Sequence, residues 1–436
     1  MNFLYADSLD FVDPRYDFIN DESPSDREAY WDDLYPHEIL GFAPYDGLLV
    51  SRAIVDSRNG TSKYSHPLSM RFRLVGARTF LRFDRPEYKE KPIFGDCGAF
   101  SYVNEYVPPY TPEDMVDFYE DGSFTHGLSI DHIIFDFIPD AKRFWEGING
   151  ECPESDDRYR RFRLTLDLAE VFITECRKRK VTFEPVGVIQ GWSQQSMAYA
   201  AETLAKMGYR YLALGGMVPL SPSDIHAALR AVHSVLENYP DVRLHILGFA
   251  KADHLDEFAP PGFYPKLASI DTTSPLLRAF KDGRRNYYLP TDDGKLDYFA
   301  AIRIPQVNDN NILKRAIKKG IYRTEDLLTL EHDALSMLRA YDNDSSTLEQ
   351  SLDAVLTYAR TLIVEGYTPT PSDDKKLVQL SEMYRRTLQA QPWKRCKCPI
   401  CRAISIETII FRGSNRNKRR GIHNLHVFYR HLQNLR

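Results

Sequence analysis

Seven short apolar runs recur between residues 47 and 271, and helical patterns follow most of them. The runs are Gly47–Val55, Lys91–Phe100, Asp131–Phe137, Thr182–Gly191, Tyr209–Gly216, Val242–Ala250 and Pro265–Asp271. Between them, Arg161–Lys180, Ser193–Gly208 and Ser221–Pro240 carry apolar residues at helical spacing, the last opening on a cap at Ser221 or Ser223. Strand and helix alternating in this way requires parallel strands joined by crossover helices. A doubly wound sheet and a closed (β/α)8 TIM barrel both satisfy that pattern. The strand ends favour the barrel. Six runs finish on Asp96, Asp136, Gln190, Gly215–Gly216, Gly248 and Asp271, and a barrel aims the C-terminal ends of all its strands at one mouth. A lone aspartate at a strand end is usually a turn former or a helix cap. Several in series point to a common pocket.

The chain has 436 residues, enough for a large barrel and attachments. No apolar run is long enough to span a bilayer, and the opening MNFLYADSLDFVD lacks the basic start of a signal peptide. The expected location is the cytoplasm, away from membranes. The expected organisation is an acidic segment over 1–44, the catalytic barrel over 45–307, a helical insertion over 308–391 and a zinc-binding, basic region over 392–436 that completes the barrel.

Three of the six cysteines crowd into CKCPIC, as Cys396, Cys398 and Cys401. Thiolates so close suit a tetrahedral zinc ion. His423 is the expected fourth ligand, with His426 and His431 as alternatives. Three cysteines and a histidine leave no open position, so the zinc would be structural. From Lys394 to Arg436, eleven lysines and arginines face the single acid Glu407. Such a block suits a polyanion. Its densest part is Arg416, Lys418, Arg419 and Arg420, the expected nucleic-acid contact; the alternative is that these arginines pair with the acidic N-terminal segment.

C-x-C-x-x-C followed by a helix opening His-Asn-Leu, after a barrel with these strand ends, resembles the tRNA-guanine transglycosylase superfamily. The resemblance covers roughly Gly47–Asp271 and Cys396 onward. It implies a (β/α)8 barrel with a zinc subdomain that swaps guanine for a 7-deazaguanine through a covalent glycosyl–aspartate. In FGDCGAF it places Asp96 as the acid/base and Phe100 as the stacking aromatic. In IIFDF it places Asp136 as the carboxylate that reads the base. GVIQG supplies Gln190, LALGG supplies Gly215 and Gly216, HILGFA puts Leu247 on the other face of the base, and SIDTTSP makes Asp271 the nucleophile. Three departures are similar to the DpdA-type branch, which installs 7-deazaguanines into DNA. Phe137 stands where the tRNA enzymes usually carry Glu, the helical stretch before Cys396 is long, and no appended RNA-binding domain is evident. The implied partners are DNA, guanine and 7-cyano-7-deazaguanine (preQ0), and helper proteins of a DNA-modification system are possible. The alternatives are exchange on tRNA, and a catalytically dead, zinc-bearing nucleic-acid-binding subunit.

The chemistry asks for the same residues. Breaking an N-glycosidic bond builds positive charge at C1′, which a carboxylate such as Asp271 can stabilise and capture. A second group, Asp96, must move protons. Cys97 beside it has no evident base partner and reads as a small buried residue.

Overall fold

The computed structural model describes residues 1–7, 9–57, 64–139, 141–148, 155–260, 262–291, 294–364, 368 and 370–436. Eight parallel strands close into a barrel in chain order: β1 (Asn2–Ala6), β2 (Gly47–Ser51), β3 (Ile93–Asp96), β4 (His126–Leu128), β5 (Glu184–Ile189), β6 (Tyr211–Leu214), β7 (Arg243–Ile246) and β8 (Leu267–Asp271). β1 completes the ring by pairing with both β2 and β8, with Leu4 opposite Asp271. β2 and β6 are buried along their whole length, as parallel strands covered by helices outside and filled inside must be. Leu4, Leu49, Phe94, Leu128, Val188 and Ala213 are part of that filling. The crossover helices Asp157–Arg179, Gln194–Met207 and Pro222–Val235 start on Asp156, Ser193 and Ser221, whose side chains accept first-turn N–H groups. Of the two caps expected for the last helix, Ser221 is the one used.

The chain forms two compact units, one of residues 1–9, 45–274 and 435–436, the other of residues 10–44 and 275–434. These boundaries differ from the four expected segments. The barrel draws β1 from the acid-rich start and has its eighth strand by Asp271, so residues 392–436 add no strand to it. The acidic residues from Asp10 onward belong with the helical and cysteine-bearing parts.

In that second unit, helices Asn311–Lys318, Thr324–Asp342, Leu348–Ile363 and Pro371–Ala390 bury a shared core that includes Leu313, Leu335, Leu338, Leu352, Val355 and Leu388. The amphipathic stretch Asn310–Tyr341 makes two helices because Gly320, at φ +71°, turns the backbone out of the first. Strand β9 (Tyr287–Pro290) pairs antiparallel with β10 (Leu296–Phe299), and β11 (Ile302–Arg303) pairs with β12 (Ile410–Phe411). The helix Ser414–Leu435 runs through the unit with most of its residues buried.

The cations expected to meet nucleic acid are on that helix, and the structure corrects the expectation. Arg416 and Arg420 are 0 % exposed. Arg416 pairs with Asp21 and with Glu407 (2.7 Å), and Arg339 also reaches Glu407 (2.7 Å). Arg420 donates to the carbonyls of Thr408, Ile410 and Ala279, and burial pulls its pKa down to about 9. Arg419 donates to Asp13 O (2.8 Å) and Lys418 to Phe11 O (3.0 Å). A buried guanidinium must find carboxylates or carbonyls. The acidic segment supplies Asp21 and the Asp13 and Phe11 carbonyls, and residues 279 and 407–410 supply the rest, so these side chains hold the unit together.

Candidate active site

β3 and β8 end on Asp96 and Asp271, as their sequences suggest. β4 is different. Its strand is His126–Leu128, and residues 131–137 carry no regular structure. Ile133 and Ile134 are buried there as loop residues, which is why the run reads as a strand. The first carboxylate past β4 is therefore Asp131, buried and in the cavity, whereas Asp136 is exposed and outside it. This corrects the placement of Asp136. The residue after the pocket carboxylate is His132, and Phe137, the residue after Asp136, does not line the cavity.

Asp96, Asp131 and Asp271 line one cavity of about 540 Å³ at the barrel mouth, together with Phe100, Gln190, Gly215, Gly216, Leu247 and Gly248. Among the described residues, no lysine or arginine lines it. Asp131 Oδ2 accepts from Gln190 Nε2 (2.6 Å) and its Oδ1 from the Cys97 thiol (3.3 Å). Gln190 Oε1 accepts from the Ile134 N–H (3.2 Å). With its oxygen and one amide hydrogen engaged, Gln190 retains its second Nε2–H for a ligand. Glycine is required beside it. A Cβ on Gly215 would stand 2.2 Å from Gln190 Nε2, and Gly216, at φ +73°, has Ile134 O 2.9 Å from where a Cβ would be. Phe100 is 59 % exposed, its ring centroid 5.8 Å from that of Phe135.

Burial, and then the charges of Asp131 and Asp271, push Asp96 up to about 7, although the Gly98 N–H donates to its Oδ2 (3.1 Å). Burial pushes Asp131 up to about 6. Crowded carboxylates without a cation hold protons near neutrality. Cys97 takes a hydrogen bond from Tyr102 (3.0 Å), and burial raises its pKa well above the usual thiol value, so it stays a thiol. Asp271 is 7 % exposed, and its Oδ1 accepts from the Gly248 N–H (2.9 Å) and lies 3.0 Å from His245 Nε2.

No protein-family model matches the chain. A DNA-guanine transglycosylase from Salmonella montevideo is 39% identical over 434 residues, covering 99% of this chain and 97% of that protein.

The chain belongs to the DNA-guanine transglycosylase family.

It is an enzyme of the glycosyltransferase type. The second unit holds a separate cluster of candidate metal ligands. Cys396, Cys398, Cys401 and His423 bring one donor atom each to within 4.8 Å of one another. The sulfurs lie 3.6, 3.4 and 3.4 Å from His423 Nδ1. A tetrahedral zinc with ordinary Zn–S and Zn–N lengths sets such edges at about 3.5 Å, so the four residues fit a metal ion. His423 Nε2 lies 2.7 Å from Tyr288 O, which places the proton there and turns Nδ1 to the sulfurs. The alternative ligands are engaged elsewhere or outside this group: His431 Nδ1 bonds Gly294 O (3.0 Å), and His426 is not among the four.

The sequence reading does not single out Asp131, which lines the pocket, or His245, which is buried against Asp271. Asp131 begins an apolar run and so reads as its start rather than as a strand end. His245 stands two residues before Leu247, and alternate residues of a strand share a face, so its nearness to the pocket was open to inference.

Proposed function

We propose that the protein exchanges guanine in DNA for a 7-deazaguanine, with 7-cyano-7-deazaguanine as the incoming base, through a covalent glycosyl–Asp271 intermediate. The observation that carries the reading is the set of three carboxylates in one cavity, with no lysine or arginine beside them among the described residues. Asp271 attacks C1′ as the C1′–N9 bond of guanine breaks, and the Asp96 carboxyl delivers a proton to the departing base. The incoming base returns a proton to Asp96, its N9 attacks C1′, and the ester bond to Asp271 breaks. Two displacements restore the original configuration. Asp131 takes over the base-reading role expected of Asp136, and Phe100 and Leu247 offer apolar faces to the ring. A base in a duplex must be flipped out to reach this pocket. Incubating the protein with labelled guanine and either duplex DNA or tRNA tests the reading: label enters the DNA if it holds, and only the tRNA if the substrate is RNA.

The raised pKa of Asp96 gives a pH dependence. Its carboxyl keeps a proton up to about pH 7, and guanine departure uses that proton. Single-turnover guanine release is therefore expected to fall as pH rises through about 7. Asp131→Asn removes a like charge from the cavity, so its alkaline limb is expected at lower pH. The same limb in both proteins would contradict the role given to Asp96.

The buried arginines leave the phosphate contacts to other cations. In the second unit, Arg395, Lys397, Arg430, His426, His431 and Asn434 line a cleft of about 490 Å³, and none of the described residues lining it is a carboxylate. Arg395, Lys397 and Arg430 are exposed. We assign this cleft to the DNA backbone. Changing all three cations to glutamine is expected to weaken DNA binding at every sequence. It should flatten the plot of log affinity against log salt by about 2.7, since each neutralised phosphate contributes about 0.9. Metal content is measured alongside, because two of the three flank Cys396. An unchanged salt slope would move the DNA path away from the cleft.

A further inference from the structure

We infer that His245 is a positioning residue that reserves Oδ1 of Asp271 for hydrogen bonding and leaves Oδ2 to form the bond to C1′. The inference rests on the exchange reaction proposed above and adds to it the geometry of a buried chain. His245 is 0 % exposed inside the barrel on β7. Its Nδ1 lies 2.8 Å from Ser269 Oγ, its Nε2 lies 3.0 Å from Asp271 Oδ1, and Ser269 Oγ lies 2.6 Å from Tyr211 Oη. The His245 ring also packs against Phe94, with centroids 5.5 Å apart.

Proton accounting along this chain selects one arrangement. Tyr211 is 4 % exposed, and Ser269 is its hydroxyl's partner. A buried phenol hydrogen needs an acceptor, so Tyr211 donates to Ser269. Ser269 then gives its own hydrogen to His245 Nδ1, and the neutral imidazole carries its hydrogen on Nε2, aimed at Asp271 Oδ1. The opposite tautomer would face a nitrogen lone pair with a carboxylate oxygen at 3.0 Å and leave one hydroxyl hydrogen of the Tyr211–Ser269 pair without an acceptor. The neutral Nε2–H form satisfies every group.

Oδ1 of Asp271 therefore carries two donors, the Gly248 N–H and the His245 Nε2–H. The ester forms at Oδ2 as C1′–N9 breaks, and Oδ1 becomes its carbonyl oxygen. When the incoming N9 attacks C1′, the electron pair of the Oδ2–C1′ bond returns to the carboxylate, and both donors take up the charge. They stabilise the free carboxylate more than the ester, as preorganised donors do wherever charge develops. Without His245 the balance shifts toward the covalent adduct.

The test uses the full chain, duplex DNA and labelled guanine. His245→Leu is expected to lower turnover about a hundredfold, leave DNA affinity within about twofold and raise the share of DNA held as a denaturant-stable adduct. His245→Gln, which keeps an N–H donor, should recover part of the turnover. Ser269→Ala should cost less than His245→Leu and nothing further in combination with it, since both act through one chain. Turnover in His245→Leu within about twofold of wild type, or an adduct share that falls along with turnover, would overturn the inference. Nitrogen NMR of histidine-labelled wild type and Ser269→Ala reads the tautomer even where His245→Leu does not fold. The neutral Nε2–H form supports the proposal, and an Nδ1–H form or an imidazolium refutes it. A wild-type protein that exchanges no guanine would defeat the functional reading, and the tautomer measurement would still decide the geometry.

Discussion

Asp271→Ala is expected to lower guanine exchange by at least about 10⁴-fold, because removing a nucleophile closes the covalent route. DNA affinity should change little, since the contacts proposed for the backbone lie in the other unit. Stability should not stay untouched. Asp271 is buried at a strand end, and its loss leaves the Gly248 N–H and His245 Nε2 without their acceptor, an effect of about 1–3 kcal/mol. Relief of the repulsion between Asp271 and Asp96 offsets part of this. Asp271→Asn keeps an acceptor and the shape, so it should fold like wild type and still form no adduct. Exchange by Asp271→Asn at the wild-type rate would remove Asp271 from the reaction.

The second large effect concerns the cysteine cluster. Freshly purified protein is expected to hold one zinc, and Cys398→Ser to lose it. Cys398, Cys401, Trp393, Ile400 and Ile422 belong to the buried core of the second unit, and the Cys398 sulfur also accepts from the Cys401 N–H (3.4 Å). Binding of a structural zinc is worth on the order of 10 kcal/mol, comparable with the whole stability of a domain, about 5–15 kcal/mol. Hydrogen exchange should therefore speed up across 399–404 and along the helix Ser414–Leu435 in the Cys398→Ser protein. Full zinc retention, or unchanged exchange in those segments, would show that the cluster does not depend on a metal.

The barrel was legible because six of the seven apolar runs each contain a strand that ends on a polar or glycine-bearing turn. β1 was not, since NFLYA is a five-residue run in an acid-rich stretch and its partner β8 lies more than 260 residues away. The pocket was legible where a strand inside its run ends on a carboxylate, as at Asp96 and Asp271. It was misread at β4, where a buried loop continues the apolar run past the three-residue strand and draws attention to Asp136 instead of Asp131. The arginine cluster shows a different limit. Counting charge finds the cations without saying which way they point. Arg416, Arg420 and His423 are spaced four and three apart, so they share one stripe of the helix, and His423 was already assigned to an interior metal site. That spacing, with the acid excess before residue 44, was the available sign that these arginines turn inward.

Nucleoside mass spectrometry tests the central claim most directly. Purified protein is incubated with duplex DNA, tRNA and 7-cyano-7-deazaguanine, and each nucleic acid is then digested and separated. The expected result is the 7-deazaguanine deoxynucleoside from the DNA, matched by released guanine and absent with Asp271→Asn. Modified nucleoside in the tRNA alone, or in neither nucleic acid, would contradict the account.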